Sequence, residues 1–155
     1  MATGGGDKDN GVIGSCELFD TAVCKWIPIA SLNINRQLHA AAMHNYTVYV
    51  FGGWGQQLPR AEIEQYDADA NKWTLLKARL SQARDELAAT CVQSRIYILG
   101  GRIDIKNEEG EEEVLQLDTI DSFDPKKKEC RRVSNMPQAR RAHAVACYNA
   151  IDTDG

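Results

Sequence analysis

Apolar residues in this chain come in short runs bounded by glycines and turn formers, too short for helices. Residues 47–51, Thr-Val-Tyr-Val-Phe, are β-branched and aromatic and stop at Gly52-Gly53, as a strand ending in a tight turn does. Just before them, residues 39–43 (His-Ala-Ala-Ala-Met) are small and apolar, with Asn45-Tyr46 between. The same pair of runs recurs at residues 87–91 and 95–99, ending at Gly100-Gly101. Residues 61–66 alternate, so Ile63 and Gln65 should face one way and Glu64 and Tyr66 the other. Asp67-Ala68-Asp69-Ala70-Asn71 is turn chemistry before a short strand around Trp73. The pattern predicts four short antiparallel strands per unit of about 50 residues.

The units are repeats. Diglycines occur at Gly4-Gly5, Gly52-Gly53 and Gly100-Gly101, 48 residues apart each time. Each is followed by an aromatic residue and an aspartate: Phe19-Asp20, Tyr66-Asp67 and Phe123-Asp124. An acid lies two residues before each aromatic (Glu17, Glu64, Asp121), and Trp26, Trp73 or Cys130 lies seven after it. An arginine follows at Arg36, Arg84 and Arg140, and seven residues further on comes Met43, Cys91 or Cys147. Six landmarks agreeing in order across three units exclude coincidence. They divide the chain into units of about 1–35, 36–83 and 84–139, with the first strand of another unit at 140–148.

Composition narrows the function classes. At 155 residues and 43% hydrophobic content, the chain is one soluble domain or a piece of a larger one. No apolar run approaches the roughly 20 residues of a membrane-spanning helix, and the first ten residues lack the apolar core of a secretory signal. A net charge of −4 argues against nucleic-acid backbone binding. Five cysteines, an odd number without Cys-x-x-Cys spacing, suggest neither a disulfide framework nor a zinc site. A reduced cytoplasmic protein without membrane or nucleic-acid partners is expected.

Residues 49–53, Glu64-Gln65-Tyr66-Asp67 with Trp73, and residues 135–143 (Asn-Met-Pro-Gln-Ala-Arg-Arg-Ala-His) resemble kelch repeats of the kelch-like (BTB-BACK-kelch) type. The resemblance covers essentially the whole chain. It implies an all-β fold: a kelch β-propeller fragment of about three four-stranded antiparallel blades, half of a six-bladed ring. Some features depart from the pattern. Cys130 replaces a tryptophan, no BTB-like segment precedes the repeats, and the stretch from Gly101 to Phe123 is nine residues longer than that from Gly53 to Tyr66. The second strand and diglycine expected after residues 140–148 do not appear in residues 149–155. A fragment of a longer kelch protein is therefore expected, with two chains closing one ring as the rival.

Candidate chemistry is mostly structural. The diglycines lack the following lysine or Ser/Thr of a phosphate loop, since Trp54-Gly55-Gln56-Gln57 comes next, so glycine is expected to serve positive φ and close approach. Trp26 and Trp73, beside Phe19 and Tyr66, are expected in inter-blade core, and Phe123 is expected as a structural repeat position. His39 and His143 share a position with Leu87, which needs no imidazole chemistry. Cys91 and Cys147 share one with Met43 and are expected as small buried residues. Cys16, Cys24 and Cys130 are expected to be more exposed, with Cys130, near Lys128 and Arg131, the one candidate reactive thiol. Asp7-Lys8-Asp9-Asn10-Gly11 fails the calcium-loop register, and the sequon at Asn45 reads as an unused turn. The acidic insertion 102–117, with Glu108, Glu109, Glu111, Glu112 and Glu113, reads as a solvated flexible loop, with a basic partner as the minority reading.

Function rests on the resemblance. It implies a protein-recognition module that binds partner peptides on the face built from the loops after the diglycine and after the inter-blade arginine. In this sequence the first set is Gly6, Trp54 and Arg102, and the second is Gln37-Leu38, Asp85-Glu86 and Arg141-Ala142. These positions vary between units while the scaffold positions repeat, as suits a surface that reads side chains. Trp54 and Arg102 are the expected anchors. In a BTB-BACK-kelch protein this part selects substrates for a cullin–RING ubiquitin ligase; actin binding is the second implied role. No enzymatic activity, cofactor or metal is expected. A galactose-oxidase-like copper enzyme is the different-class alternative, and only three histidines are available to it.

Overall fold

The computed structural model describes residues 1–9, 11–106 and 109–148, and among them every regular element is a strand. β1 (Ala2–Asp7), β2 (Gly11–Asp20) and β3 (Lys25–Ile29) form a three-stranded antiparallel sheet in that order. β4 (Ala40–His44) and β5 (Thr47–Phe51) open the second sheet, the two-stranded hairpin β6 (Trp54–Gly55) and β7 (Leu58–Pro59) follows, and β8 (Glu62–Asp67) and β9 (Lys72–Arg79) complete the sheet. The third sheet repeats this plan. β10 (Ala88–Val92) and β11 (Arg95–Leu99) precede the hairpin β12 (Arg102–Lys106) and β13 (Glu112–Gln116), then β14 (Thr119–Asp124) and β15 (Glu129–Asn135) close it. Two sheets thus run β4-β5-β8-β9 and β10-β11-β14-β15, all antiparallel, as blades of a kelch propeller.

Turn chemistry sets the register. Asn45 and Tyr46, with φ of 46° and 61°, make the two-residue connection between β4 and β5, the primed-turn geometry that matches strand twist. Residues 102–117 are a correction to the flexible-loop expectation, because they pair as β12 and β13. Ile103 faces Leu115 and Lys106 faces Glu112, an apolar pair and an opposite-charge pair that hold the ribbon together. Glu108 lies outside the described residues, as do Asn10 of the rejected calcium loop and residues 149–155.

The second sheet is covered on both faces, so alternation along its strands separates two interfaces rather than core from solvent. Ile63, Phe51 and Tyr49 pack with Ile96, Ile98 and Phe123 between the second and third sheets. Tyr66, Trp73 and Val50 pack with Cys16 and Leu32 between the first and second. Cover by the preceding sheet decides which repeat positions are buried. Trp73 is 2% exposed, whereas Trp26 is 54% and Phe19 39% exposed, against the core expectation for that pair. The Phe19–Trp26 rings still meet at 5.2 Å, as Tyr66 and Trp73 do at 5.1 Å, but no sheet among the described residues lies over them.

The same reasoning corrects the cysteines. Cys16, expected to be exposed, is buried between the first two sheets. Cys147, expected to be buried, is exposed because residues 140–148 join no sheet. Cys91 is half-buried, while Met43 is exposed because the three-stranded first sheet has no first strand to lie beside it. Cys130 packs against the core cluster, and burial, reinforced by Asp121, pushes its thiol up to about 12. That is the reverse of a reactive thiolate.

One residue per unit joins neighbouring sheets. The carbonyls of Arg36, Arg84 and Arg140 accept bonds from the second glycines Gly5, Gly53 and Gly101, at 2.9, 2.9 and 2.8 Å. The side chains reach the other way. Arg36 Nη2 lies 2.7 Å from Glu64 Oε1 and Arg84 Nη2 lies 2.6 Å from Asp121 Oδ2, with all four side chains fully buried. Arg36 Nη1 also donates to the carbonyls of Gly52 and Glu62. Burial lowers the pKa of Arg36, opposed by the Glu64 charge. The carboxylates are further held from the preceding loop, Glu64 by Asn33 and Asp121 by Ser81 N and Oγ.

Close approach explains the diglycine. At Gly53, with φ of +94°, a Cβ would sit 2.7 Å from both Gln37 O and His39 Cβ. Gly53→Val is expected to cost roughly 2–4 kcal/mol, combining backbone strain with overpacking. Chemical denaturation checks it; an unchanged midpoint would show that the loop yields freely.

Candidate functional site

The loops after the arginines and after the diglycines meet at one end of the blades. Gln37 and Trp54 exchange backbone bonds of 2.9 and 2.7 Å, and Asp85 and Arg102 exchange the equivalent pair at 3.2 and 2.9 Å. Between units, Glu86 N donates to Leu38 O and Ala142 N donates to Glu86 O, both at 2.9 Å. A Cβ on Gly6 would lie 2.8 Å from Gln37 Oε1, which places Gly6 beside the same loop. All nine positions carried over from the resemblance therefore lie in one connected patch.

The backbone of that patch is unusual. Leu38, Glu86 and Ala142 occupy equivalent places and adopt φ of 55°, 52° and 48°. Left-handed conformation in non-glycine residues costs energy and persists only where surrounding bonds hold it. Here the inter-unit ladder holds it, setting one residue from each of three successive units in register. Leu38 is 45% exposed.

Charge is concentrated at the third unit. Arg102 Nε lies 2.7 Å from Asp85 Oδ1 and 3.3 Å from Glu86 Oε1, while Arg141 Nη1 lies 3.2 Å from Glu86 Oε2. The hydrogen bond from Arg102 to Asp85 raises the arginine's pKa. Burial raises that of Asp85, opposed by Arg102. Asp85 is fully buried, which corrects its assignment to the contact surface: it positions Arg102 instead. Trp54 is half-buried, and Arg141 and Ala142 are exposed.

The acid–arginine clamps below the patch are what sequence reading noted only as landmarks. Their partners are 28 residues apart for Arg36–Glu64, and only the constant place of acid and arginine in each unit signalled them. The histidines stand apart from the patch's charges. His39 Nε2 lies 2.9 Å from Thr3 Oγ1 across the first two sheets, and burial, with Arg36 nearby, lowers its pKa to about 4. Among the described residues no three metal-ligating side chains converge.

The His39 environment has a measurable consequence. Its folded pKa lies below the unfolded value of about 6.5, so the neutral ring's contribution is complete above that value and is lost as pH falls toward 4. The loss is expected to reach about 3 kcal/mol at most. His39→Leu, which installs the residue found at position 87, should flatten stability between pH 6.5 and 4.5 relative to the parent. Parallel pH profiles for the two would show that the ring is solvated.

Comparison with known proteins agrees with the geometry. The Kelch motif matches residues 35–78 and 83–137. The chain is 29% identical to human Kelch domain-containing protein 3 over 94% of its own length and 41% of that protein's. It is 29% identical to alpha-scruin of Limulus polyphemus over 92% of its length and 16% of scruin's. Human Kelch repeat and BTB domain-containing protein 12 is 25% identical over 96% of the chain and 25% of that protein. The chain thus spans about two-fifths of the length of the first of these relatives. Repeated sheets, diglycine joints and family match converge: the chain belongs to the kelch-repeat family, whose repeats imply protein–protein interaction.

Proposed function

We propose that this chain recognises a partner protein through the patch formed by Gly6, Gln37, Leu38, Trp54, Glu86, Arg102, Arg141 and Ala142, as the substrate-recognition part of a cullin–RING ubiquitin ligase adaptor. One observation carries the proposal. The inter-unit ladder through Leu38, Glu86 and Ala142 holds strained backbone in register, while the side chains it presents differ from unit to unit. A rigid frame with variable contacts is what selective recognition requires. Trp54 and Leu38 supply apolar area at the second unit, and Arg102, Glu86 and Arg141 supply charge at the third. Because Arg102 is already engaged by Asp85 and Glu86, Trp54 and Leu38 are the better anchors.

Similarity to a BTB-containing relative supports the adaptor reading, in which ubiquitin transfer resides in other subunits. Five cysteines, none in a disulfide among the described residues, are in keeping with a reduced, cytoplasmic setting. Interaction proteomics with the tagged chain and its Trp54→Ala/Leu38→Asp variant tests the proposal. Partners present with the parent and depleted at least roughly tenfold with the variant, together with cullin subunits when the natural full-length protein is used, are expected. An identical partner set would overturn the patch. Cosedimentation with filamentous actin that survives the double substitution would favour the cytoskeletal reading.

A further inference from the structure

At the strand ends opposite the patch, turns of the second and third units enclose a cleft of about 470 Å³. Thr47 and Tyr49 of β5 form one wall. Ser94, just before β11, and Asp124, Pro125 and Lys126, between β14 and β15, form the other. Both walls come from four-stranded sheets. The third-unit wall is rigid. Asp124 Oδ1 accepts from the backbone N–H groups of Lys126 and Lys127 at 3.0 and 3.1 Å, and Asp124 Oδ2 accepts from Arg95 Nη1 at 3.0 Å. Lys128, with φ of 56°, donates its backbone N–H to Asp124 O at 2.9 Å. Its ammonium crosses to the second sheet, where it donates to Gln65 Oε1 and lies 5.8 Å from the centre of the Tyr49 ring. The one carboxylate of the cleft is thus fully engaged, and its turn is pinned across the joint.

The groups left unengaged can all donate. Tyr49 is 4% exposed and packs its ring on Phe51 and Phe123, yet its hydroxyl has no hydrogen-bond partner among the described residues. A buried phenol ordinarily finds one. Burial raises its pKa, so the hydroxyl keeps its proton. The hydroxyls of Thr47 and Ser94 and the ammonium of Lys126 are likewise without side-chain partners among the described residues. We propose that this cleft binds a phosphate monoester on a partner protein, a phosphorylated serine or threonine, with Lys126 pairing its charge and Tyr49, Thr47 and Ser94 donating to its oxygens. A phosphate brings roughly −1.5 to −2 of charge and three acceptor oxygens, which suits one free ammonium beside three hydroxyls; a carboxylate brings two oxygens and less charge. A protein source follows from the interaction role of kelch repeats. The cleft and the patch lie at opposite ends of the blades, so either reading can fail without the other.

Fluorescence anisotropy of a labelled, capped tripeptide with a central phosphoserine tests the site on the natural full-length protein. Binding is expected, at least roughly tenfold tighter than for the same tripeptide carrying glutamate. Tyr49→Phe keeps the ring and removes only the hydroxyl, and Lys126→Ala changes an exposed side chain. Each is expected to weaken binding about tenfold, and Lys126→Ala keeps the test decisive should Tyr49→Phe unfold. Lys8→Ala makes the same change of charge at an exposed site of the first unit and is expected to leave binding unchanged. A parent that does not bind the phosphoserine tripeptide overturns the proposal. So does equal affinity for the glutamate tripeptide, or a loss with Lys8→Ala that matches the loss with Lys126→Ala. Glycerol phosphate that competes more tightly than the tripeptide assigns the cleft to a small metabolite and overturns the protein source.

Discussion

Arg84→Met is expected to lower the unfolding free energy by roughly 3–5 kcal/mol, a large part of what a domain of this size holds in reserve. The guanidinium and Asp121 are both fully buried, 2.6 Å apart. Arg84 Nη1 also donates to Thr119 Oγ1 at 2.8 Å and to Gly100 O at 3.1 Å. Methionine keeps most of the aliphatic volume and removes the cation. Asp121 is then an uncompensated charge held only by Ser81, and the carbonyls of Gly100 and Thr119, together with the Thr119 hydroxyl, lose a donor. The double variant Arg84→Met/Asp121→Leu removes both charges and should be less destabilised than the single one, because an unpaired buried charge costs more than an absent pair. Urea denaturation of parent, single and double variants measures this. A single variant within about 1 kcal/mol of the parent would mean that water reaches Asp121.

The second large effect is a contrast between equivalent residues. Trp73→Ala is expected to cost roughly 3–5 kcal/mol, and Trp26→Ala less than about 1 kcal/mol. Both rings sit on an aromatic neighbour across the strand pair at nearly the same separation, 5.1 and 5.2 Å. Only Trp73 is covered by the preceding sheet, where its indole Nε1 also donates to Ala30 O at 3.0 Å. Urea denaturation of the two variants against the parent measures the contrast. Equal losses would mean that the in-sheet ring pair, rather than the inter-sheet interface, carries the energy.

That contrast marks what was legible in the sequence. Strand identity follows from local pattern, so residues 47–51 and 95–99, the alternation at Ile63 and Glu64, and the turn at Asn45-Tyr46 could all be read directly. Burial of a repeat position depends on the next sheet, which local pattern does not contain. Trp26, Phe19, Cys147 and Cys16 were misplaced for this reason. The acidic run at 108–113 concealed the β-forming Ile103, Ile105, Val114 and Leu115 on either side of it. The patch was legible through repeat equivalence alone. Its left-handed backbone at Leu38, Glu86 and Ala142 was not, because no glycine or asparagine marks those places and the inter-unit ladder that imposes it is a property of stacked sheets.

The arginine joint sets how the chain holds together over its length. Each of Arg36 and Arg84 gives its carbonyl to one blade and its guanidinium to the next, so neither blade owns it. In a linear array the free energy then resides in the couplings between units more than in the units themselves. A blade cut out alone loses half of each joint and inherits a buried charge without a counterion. Grafting or shuffling blades of this chain therefore succeeds only when arginine, acid and diglycine travel as matched sets across the cut.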